Sequence, residues 1–389
     1  MNILILHNSY LIKGGEDEST KNEINILRQN GHNVITYIVD NKDLTGLKSI
    51  SLALSTIWSV KSYRIVKKLI KENKIEIMHV QNFHPVLSPS VYYAAKSLGV
   101  PVIQSIRNYR IICPSALLFR ENDLCYKCVG KSIPYHGLVY RCYRKSFAAS
   151  AVVVVMLAIH NYLNTWNRKV DIYLSVSEFV KQVMVEGGIE NEKILVKPNF
   201  LLTESVIKEE HEHYFVFVGR LTLEKGIKTL CNAWKILGTD IPLKVIGEGV
   251  EEVEVFKLKS EGYQVELLGK LPNKATLDII SKAKAVIVPS LWNEPFGRVV
   301  IEAYAFGIPV IASNIGGMSE LVENNKTGLL FEASNSVDLA NKITQLINCS
   351  NFLEIKRNAY KKYVESFSAE KNYSFLIETY ENVLRNLSS

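Results

Sequence analysis

Short runs rich in Ile, Val and Leu recur along this chain, and between them lie longer segments whose apolar residues return with helical period. Strands that are apolar on both faces belong to parallel sheets with helices packed on each side, because only a covered sheet tolerates a continuous apolar strand. Two series of such runs are present. The first comprises Asn2–His7, Val34–Val39, Ile75–Val80, Val100–Ile106, Ile172–Val176 and Ile194–Val196. The second comprises Tyr214–Gly219, Leu243–Gly247, Val265–Gly269, Ala285–Pro289 and Ile308–Ala312. The pattern predicts an α/β chain of two halves, each a parallel sheet with helices on both faces.

A length of 389 residues, 47% of them hydrophobic, suits two cores of ordinary size and excludes a disordered chain or a disulfide-stapled miniprotein. Lys197-Pro198-Asn199 and the charged segment from Lys208 to His213 read as a polar linker between the series. The expected domains are therefore 1–200 and 213–365, with a helix over 366–389 packing across both. The balance of 46 Lys+Arg against 39 Asp+Glu suits anionic ligands or an anionic membrane surface without demanding nucleic acid. Met1 leads straight into Asn2-Ile3-Leu4-Ile5-Leu6, with no basic region or cleavage site, and six cysteines are sparse, which together point to a cytoplasmic chain. The longest near-continuous apolar run, Phe147–Ile159, falls short of the roughly 20 residues needed to span a bilayer. Within it, Val152–Ile159 reads as a buried helix, with His160 a satisfied side chain at its end.

The sharpest local signal is Pro289-Ser290-Leu291-Trp292-Asn293-Glu294-Pro295-Phe296-Gly297, placed between a strand and the helical run that begins at Arg298. A strand, a Gly-containing turn and a helix start form the usual cradle for phosphate, where free backbone N–H groups and the helix dipole favour an anion. Glu302 stands out in a helix otherwise made of Val, Ile, Ala and Phe, where a sugar diol would supply the donors a buried carboxylate needs. Pairing with a nearby cation is the alternative. A second strand-to-helix turn, Gly219-Arg220-Leu221-Thr222-Leu223-Glu224-Lys225-Gly226, offers two cations suited to a departing diphosphate. A third, Ser313 to Glu320, contains Gly316-Gly317, where backbone can approach a ligand closely. In the first half, Gly14-Gly15 follows the first strand and precedes Glu16-Asp17-Glu18; this is not G-x-G-x-x-G, so a dinucleotide cofactor is not expected.

Taken together these residues resemble the family 4 retaining glycosyltransferases, which have the GT-B fold of two Rossmann-like domains across a cleft. The E-x7-E motif is matched by Glu294 and Glu302, and the Arg/Lys pair by Arg220 and Lys225, collinear from about Tyr214 to Phe331. The resemblance implies that Glu302 holds ribose hydroxyls, that Glu294 with the Phe296-Gly297 backbone holds the transferred sugar, and that Arg220 and Lys225 neutralise the diphosphate. It implies that Gly14 and Gly15 face the donor. Gln81 to Ser90 and Arg107-Asn108-Tyr109-Arg110 look like the acceptor-side domain of capsule and O-antigen glycosyltransferases. Two departures stand out: Gln81 in His79-Val80-Gln81-Asn82, where relatives often have His, and Arg107 in Ser105-Ile106-Arg107, where they have another His. A permanent cation cannot act as a base, so Arg107 is expected either to clamp a phosphate or a carboxylated sugar on the donor side or to mark reduced activity.

The resulting expectation is a retaining glycosyltransferase using a nucleotide diphosphate sugar and a glycan or lipid-linked acceptor in surface polysaccharide biosynthesis. The chain contains no Asp-x-Asp, so metal-independent transfer is expected, with Arg220 and Lys225 taking the metal's part. An epimerase or phosphorylase on the same fold, or a silent sugar-binding subunit, are the alternatives. Cys113, Cys125, Cys128 and Cys142 in the first domain form an insertion at 113–142 whose thiolates could hold a structural zinc, against free thiols or a redox-labile pair. The stretch Ser51–Asn73, with Lys61, Arg64, Lys67, Lys68 and Lys71, reads first as a surface helix. Its alternative is peripheral contact with an anionic leaflet.

Overall fold

The structure is a computed structural model that describes residues 1–9, 14–40, 49–202, 205–207 and 211–388. It divides into two compact units, the first made of 1–118, 125–200 and 369–389, the second of 119–124 and 201–368. The expected insertion at 113–142 is thus divided, its short hairpin grouping with the second unit. Of the expected linker, Lys208, Glu209 and Glu210 lie outside the described residues. Lys197 is no linker residue: it is 4% exposed and ion-paired inside the first unit.

The first unit carries strands β1 (Asn2–Ser9), β2 (Asn33–Asp40), β3 (Ile77–Asn82) and β4 (Val102–Ile106). The hairpin β5 (Phe119–Arg120) and β6 (Asp123–Leu124) follows, and then β7 (Ile172–Ser175) and β8 (Ile194–Val196). Six strands form one parallel sheet in the order β2-β1-β3-β4-β7-β8. Ile3, Leu4, Ile5 and Leu6 in β1 have no exposure at all, because the sheet is covered on both faces. The helix Ala369–Ser388 belongs to this unit, where Leu376, Tyr380 and Val383 join Ile3, Ile5, Ile77 and Ile103 in one core.

The second unit has β9 (Phe215–Val218), β10 (Leu243–Ile246), β11 (Val265–Leu267), β12 (Ala285–Val288), β13 (Val310–Ser313) and β14 (Gly328–Phe331). These also form a parallel sheet, in the order β11-β10-β9-β12-β13-β14. From β9 the chain proceeds outward through β10 to β11, then returns to lay β12 on the other side of β9. Loops leaving β9 and β12 therefore diverge at a topological switch point, where open α/β sheets hold ligands beyond their carboxyl ends. Trp234, Phe215, Leu230 and Ile343 are among the residues of the core beneath.

The stretch Ser51–Asn73 is two helices, Ser49–Ile57 and Val60–Glu72, the second capped by Ser59, whose Oγ accepts from the Ser62 N–H. Its Ser62, Val66 and Ile70 face inward.

Candidate active site

Three loops of the second unit meet at the switch point, and glycine makes their approach possible. Gly226 has φ +73°, and a Cβ there would lie 1.7 Å from the Pro289 carbonyl oxygen, so the loop after β9 rests directly on the end of β12. The Leu291 N–H donates to the Glu224 carbonyl at 2.9 Å, joining the same two loops. On the other flank, Gly316 has φ +55° with an added Cβ only 2.7 Å from Asn293 Cα, and the Gly317 N–H donates to the Glu294 carbonyl at 2.9 Å. Glu294 is held between two backbones with no slack on either side.

Its side chain is 6% exposed and meets Lys225 Nζ at 2.7 Å, while the Ser290 hydroxyl donates to the same carboxylate oxygen. Lys225 also lies 5.8 Å from the centre of the Trp292 ring. The Trp292 indole Nε1 is buried with no hydrogen-bond partner among the described residues. A buried carboxylate, a cation and an unanswered N–H where two turns meet make a polar set that the protein itself does not close.

The other expected residues are placed differently. Glu302, on the helix Arg298–Tyr304, is 8% exposed, and one of its oxygens accepts from Arg298 Nε at 2.9 Å one turn earlier. Arg220 is exposed and pairs with Glu224 at 3.2 Å, so it does not join Lys225 at Glu294. Phe296 packs its ring edge-on against Phe367 at 6.0 Å, which makes its side chain a packing element. Gly297 caps the following helix, with the Met318 side chain against it.

In the first unit, Gly14 caps the helix Gly15–Gln29, and its N–H donates to Asp17 Oδ2 at 3.0 Å. That donor is therefore engaged within the chain, and the acids Glu16, Asp17 and Glu18 already complement the helix dipole. Burial works against the Asp17 carboxylate, yet the hydrogen bonds from His7 at 3.0 Å and from Gly14 outweigh it and hold its pKa below the ordinary value.

Arg107 corrects the expectation of a free guanidinium facing the donor. Its side chain is 7% exposed and directed into a buried cluster around Glu23, which it meets at 3.3 Å. Glu23 has no exposure and also binds Lys197 Nζ at 2.9 Å, His79 Nδ1 at 3.1 Å and the Gln81 side-chain amide at 2.5 Å. Arg107 donates in addition to the side-chain oxygen Oε1 of Gln81 and to Asn199 Oδ1 at 3.2 Å. The two departures noted in the sequence, Gln81 and Arg107, are thus partners. Burial opposes the Glu23 charge, but Lys197, His79 and Arg107 hold its pKa far below the ordinary value. Burial drives the His79 pKa down to about 4, so the ring is neutral at pH 7, bonded to Tyr380 OH at 2.7 Å and Ser105 Oγ at 2.9 Å.

All six cysteines are free thiols. Burial, then Cys113, Cys142 and Cys125 nearby, push the Cys128 thiol up to about 12, and among the described residues no three His, Cys, Asp or Glu side chains are grouped as metal ligands.

Residues 201–367 match the family described as Glycosyl transferases group 1. An uncharacterized 42.6 kDa protein in the cps region of Klebsiella pneumoniae is 26% identical over 360 residues, covering 82% of this chain and 87% of that protein. The capsular polysaccharide biosynthesis glycosyltransferase CapM of Staphylococcus aureus is 26% identical over 61% of this chain and 63% of its own length. The chain spans less than two thirds of the length of several curated relatives it matches, CapM among them. In fold, the crystal structure of Anabaena HepE in complex with UDP superposes with a TM-score of 0.70 at 17% identity, covering 98% of this chain and 100% of that one.

Proposed function

We propose that this chain, a member of the group 1 glycosyl transferases through residues 201–367, moves a sugar from a nucleoside diphosphate sugar to a glycan or lipid-linked glycan with retention of anomeric configuration. The observation that carries the reading is the Lys225–Glu294 pair at the switch point of the second sheet, walled by glycines and left unclosed at Trp292. A sugar diphosphate fits such a set. Glu294 accepts from sugar hydroxyls, and Lys225 lies close enough to the same ligand to offset charge as the diphosphate departs. Arg298 orients the Glu302 carboxylate from one turn earlier on the same helix, and a carboxylate so held suits recognition of ribose hydroxyls. The protein's contribution is positioning and cationic stabilisation of the leaving group, with no side chain required as nucleophile. The complex of HepE with UDP and the capsular role of CapM favour a uridine diphosphate sugar and a surface polysaccharide.

The test is calorimetry of the purified chain with UDP, GDP and their sugar conjugates, with and without EDTA. Saturable binding of one nucleotide that EDTA leaves unchanged, weakened at least tenfold in Glu302→Ala, is expected. No binding at millimolar nucleotide would overturn the reading.

A further inference from the structure

The expected buried helix Val152–Ile159 is part of a longer one, Phe147–Tyr162, and only one side of it is buried. Ser150, Val153, Val154, Met156, Leu157 and His160 face into the first unit. The opposite arc is apolar and open: Phe147 is 57% exposed, Val155 44% and Ile159 39%, and Leu163 follows at 45%. Phe147, Val155 and Ile159 lie on the one exposed arc of the helix over about 18 Å, and Leu163 follows at its C-cap. Beside it, Val139 and Ile133 are exposed on the segment tied to the helix by Asn161, whose amide donates to the Lys131 and Ser132 carbonyls. On the other flank lies the helix Ser49–Ile57, reached by His160 Nε2 at 3.1 Å from the Ile57 carbonyl, with Leu54 62% exposed. Isolated exposed aliphatics are ordinary on a protein surface, but a contiguous face of this kind marks contact with another apolar phase.

The charge around the stripe says which phase. No Asp or Glu occurs between Asp123 and Asp171, while Lys127, Lys131, Arg141, Arg144 and Lys145 do. Arg141, Arg144 and Lys145 are exposed at the helix start. Tyr126, Tyr135, Tyr140 and Tyr162 are exposed among them, the last at 89%. Aliphatic side chains flanked by tyrosines and cations, on a segment that carries no carboxylate from 124 to 170, match the order of a bilayer interface: acyl chains, then headgroup level, then anionic phosphate.

We propose that this face of the first unit docks on an anionic lipid bilayer, with Phe147, Val155 and Ile159 entering the acyl boundary and Arg141, Arg144 and Lys145 meeting lipid phosphates. The surface takes in Leu54 from the stretch Ser51–Asn73 that the sequence offered, but not that stretch's cationic helix Val60–Glu72, whose Val66 and Ile70 are turned inward. The inference does not depend on the chemistry of the second unit.

The experiment is flotation of the full chain with vesicles of phosphatidylcholine alone and of phosphatidylcholine with phosphatidylglycerol. Binding to the anionic vesicles at least tenfold stronger, and falling with added salt, is expected. The double variant Arg144→Glu/Lys145→Glu, which alters only exposed side chains, should lose at least tenfold in partitioning, and Phe147→Ser/Ile159→Ser a similar factor with an unchanged circular dichroism spectrum. Equal binding to both vesicles, or none to either, overturns the proposal. So does concentration-dependent dimerisation in sedimentation velocity that the Phe147→Ser/Ile159→Ser variant abolishes while vesicle binding is absent, because the stripe would then be covered by a second copy. Retained binding in the charge-reversal variant equally counts against it.

Discussion

Each unit of the molecule places a glutamate against lysine, and the two pairs could hardly be less alike. Glu23 in the first unit is wholly buried and answered by a lysine, an arginine, an imidazole and an amide. Glu294 in the second has one lysine and one serine, at a point where glycines bring three loops together. A charged group with every valence satisfied inside the protein has nothing left to offer a ligand, and its work is to fix the positions of the elements that carry its partners. A charged group held rigid but incompletely answered is available for chemistry. Completeness of the local hydrogen-bond set, rather than charge or burial, separates the structural glutamate from the candidate catalytic one.

The same substitution at both sites tests that distinction. Glu23→Gln should destabilise the chain by about 3–5 kcal/mol in denaturant unfolding, since Lys197 and Arg107 would be left buried without a counter-charge. Glu294→Gln should instead lower transfer on the order of 100-fold while stability stays within about 1 kcal/mol of the parent, because Lys225 has access to water. If the two variants exchanged phenotypes, the contrast would collapse.

Acid should also distinguish the sites. His79 titrates near 4 in the folded chain against an ordinary 6.5, so the folded state binds fewer protons between those values, and its contribution to stability, present above 6.5, is lost as pH falls toward 4. The loss amounts to at most about 3 kcal/mol. Glu23, also held low, extends the decline beneath its ordinary value of 4.5. Urea midpoints measured from pH 7 to pH 4 should therefore fall, and a His79→Gln variant should flatten the upper part of that curve. The smallest expected change is Tyr380→Phe, which removes one hydrogen bond to His79 and should cost about 1 kcal/mol in the same assay.

Most of both sheets was legible, because a strand buried on two faces announces itself as a run of Ile and Val. β14 was not: Gly328-Leu329-Leu330-Phe331 is short and begins with the one residue that the close approach of β13 allows, a Cβ at Gly328 falling 2.0 Å from the Val310 carbonyl oxygen. Glu294 and Lys225 could be picked out because the turns that carry them are local motifs between a strand and a helix. The Glu23 cluster could not. Lys197 stands 174 residues from Glu23 and 175 from Asn372, its other partner, and beside a proline it reads as surface linker. Gln81 and Arg107 looked like separate departures until the fold put their side chains in contact. Partnership across that much sequence leaves no local periodicity or spacing to detect.

The helix Ala369–Ser388 sets an order of events on the ribosome. A chain made from its N-terminus folds domain by domain as it emerges. Here the first six-stranded sheet is translated early, but Leu376, Tyr380 and Val383 of its core come after the whole of the second unit. The first unit must wait, with Ile3, Ile5 and Ile103 short of their final cover and His79 lacking its tyrosine, while the second completes itself. The second unit therefore has the shorter path to its native state, and the first depends for its closure on a helix translated after the second.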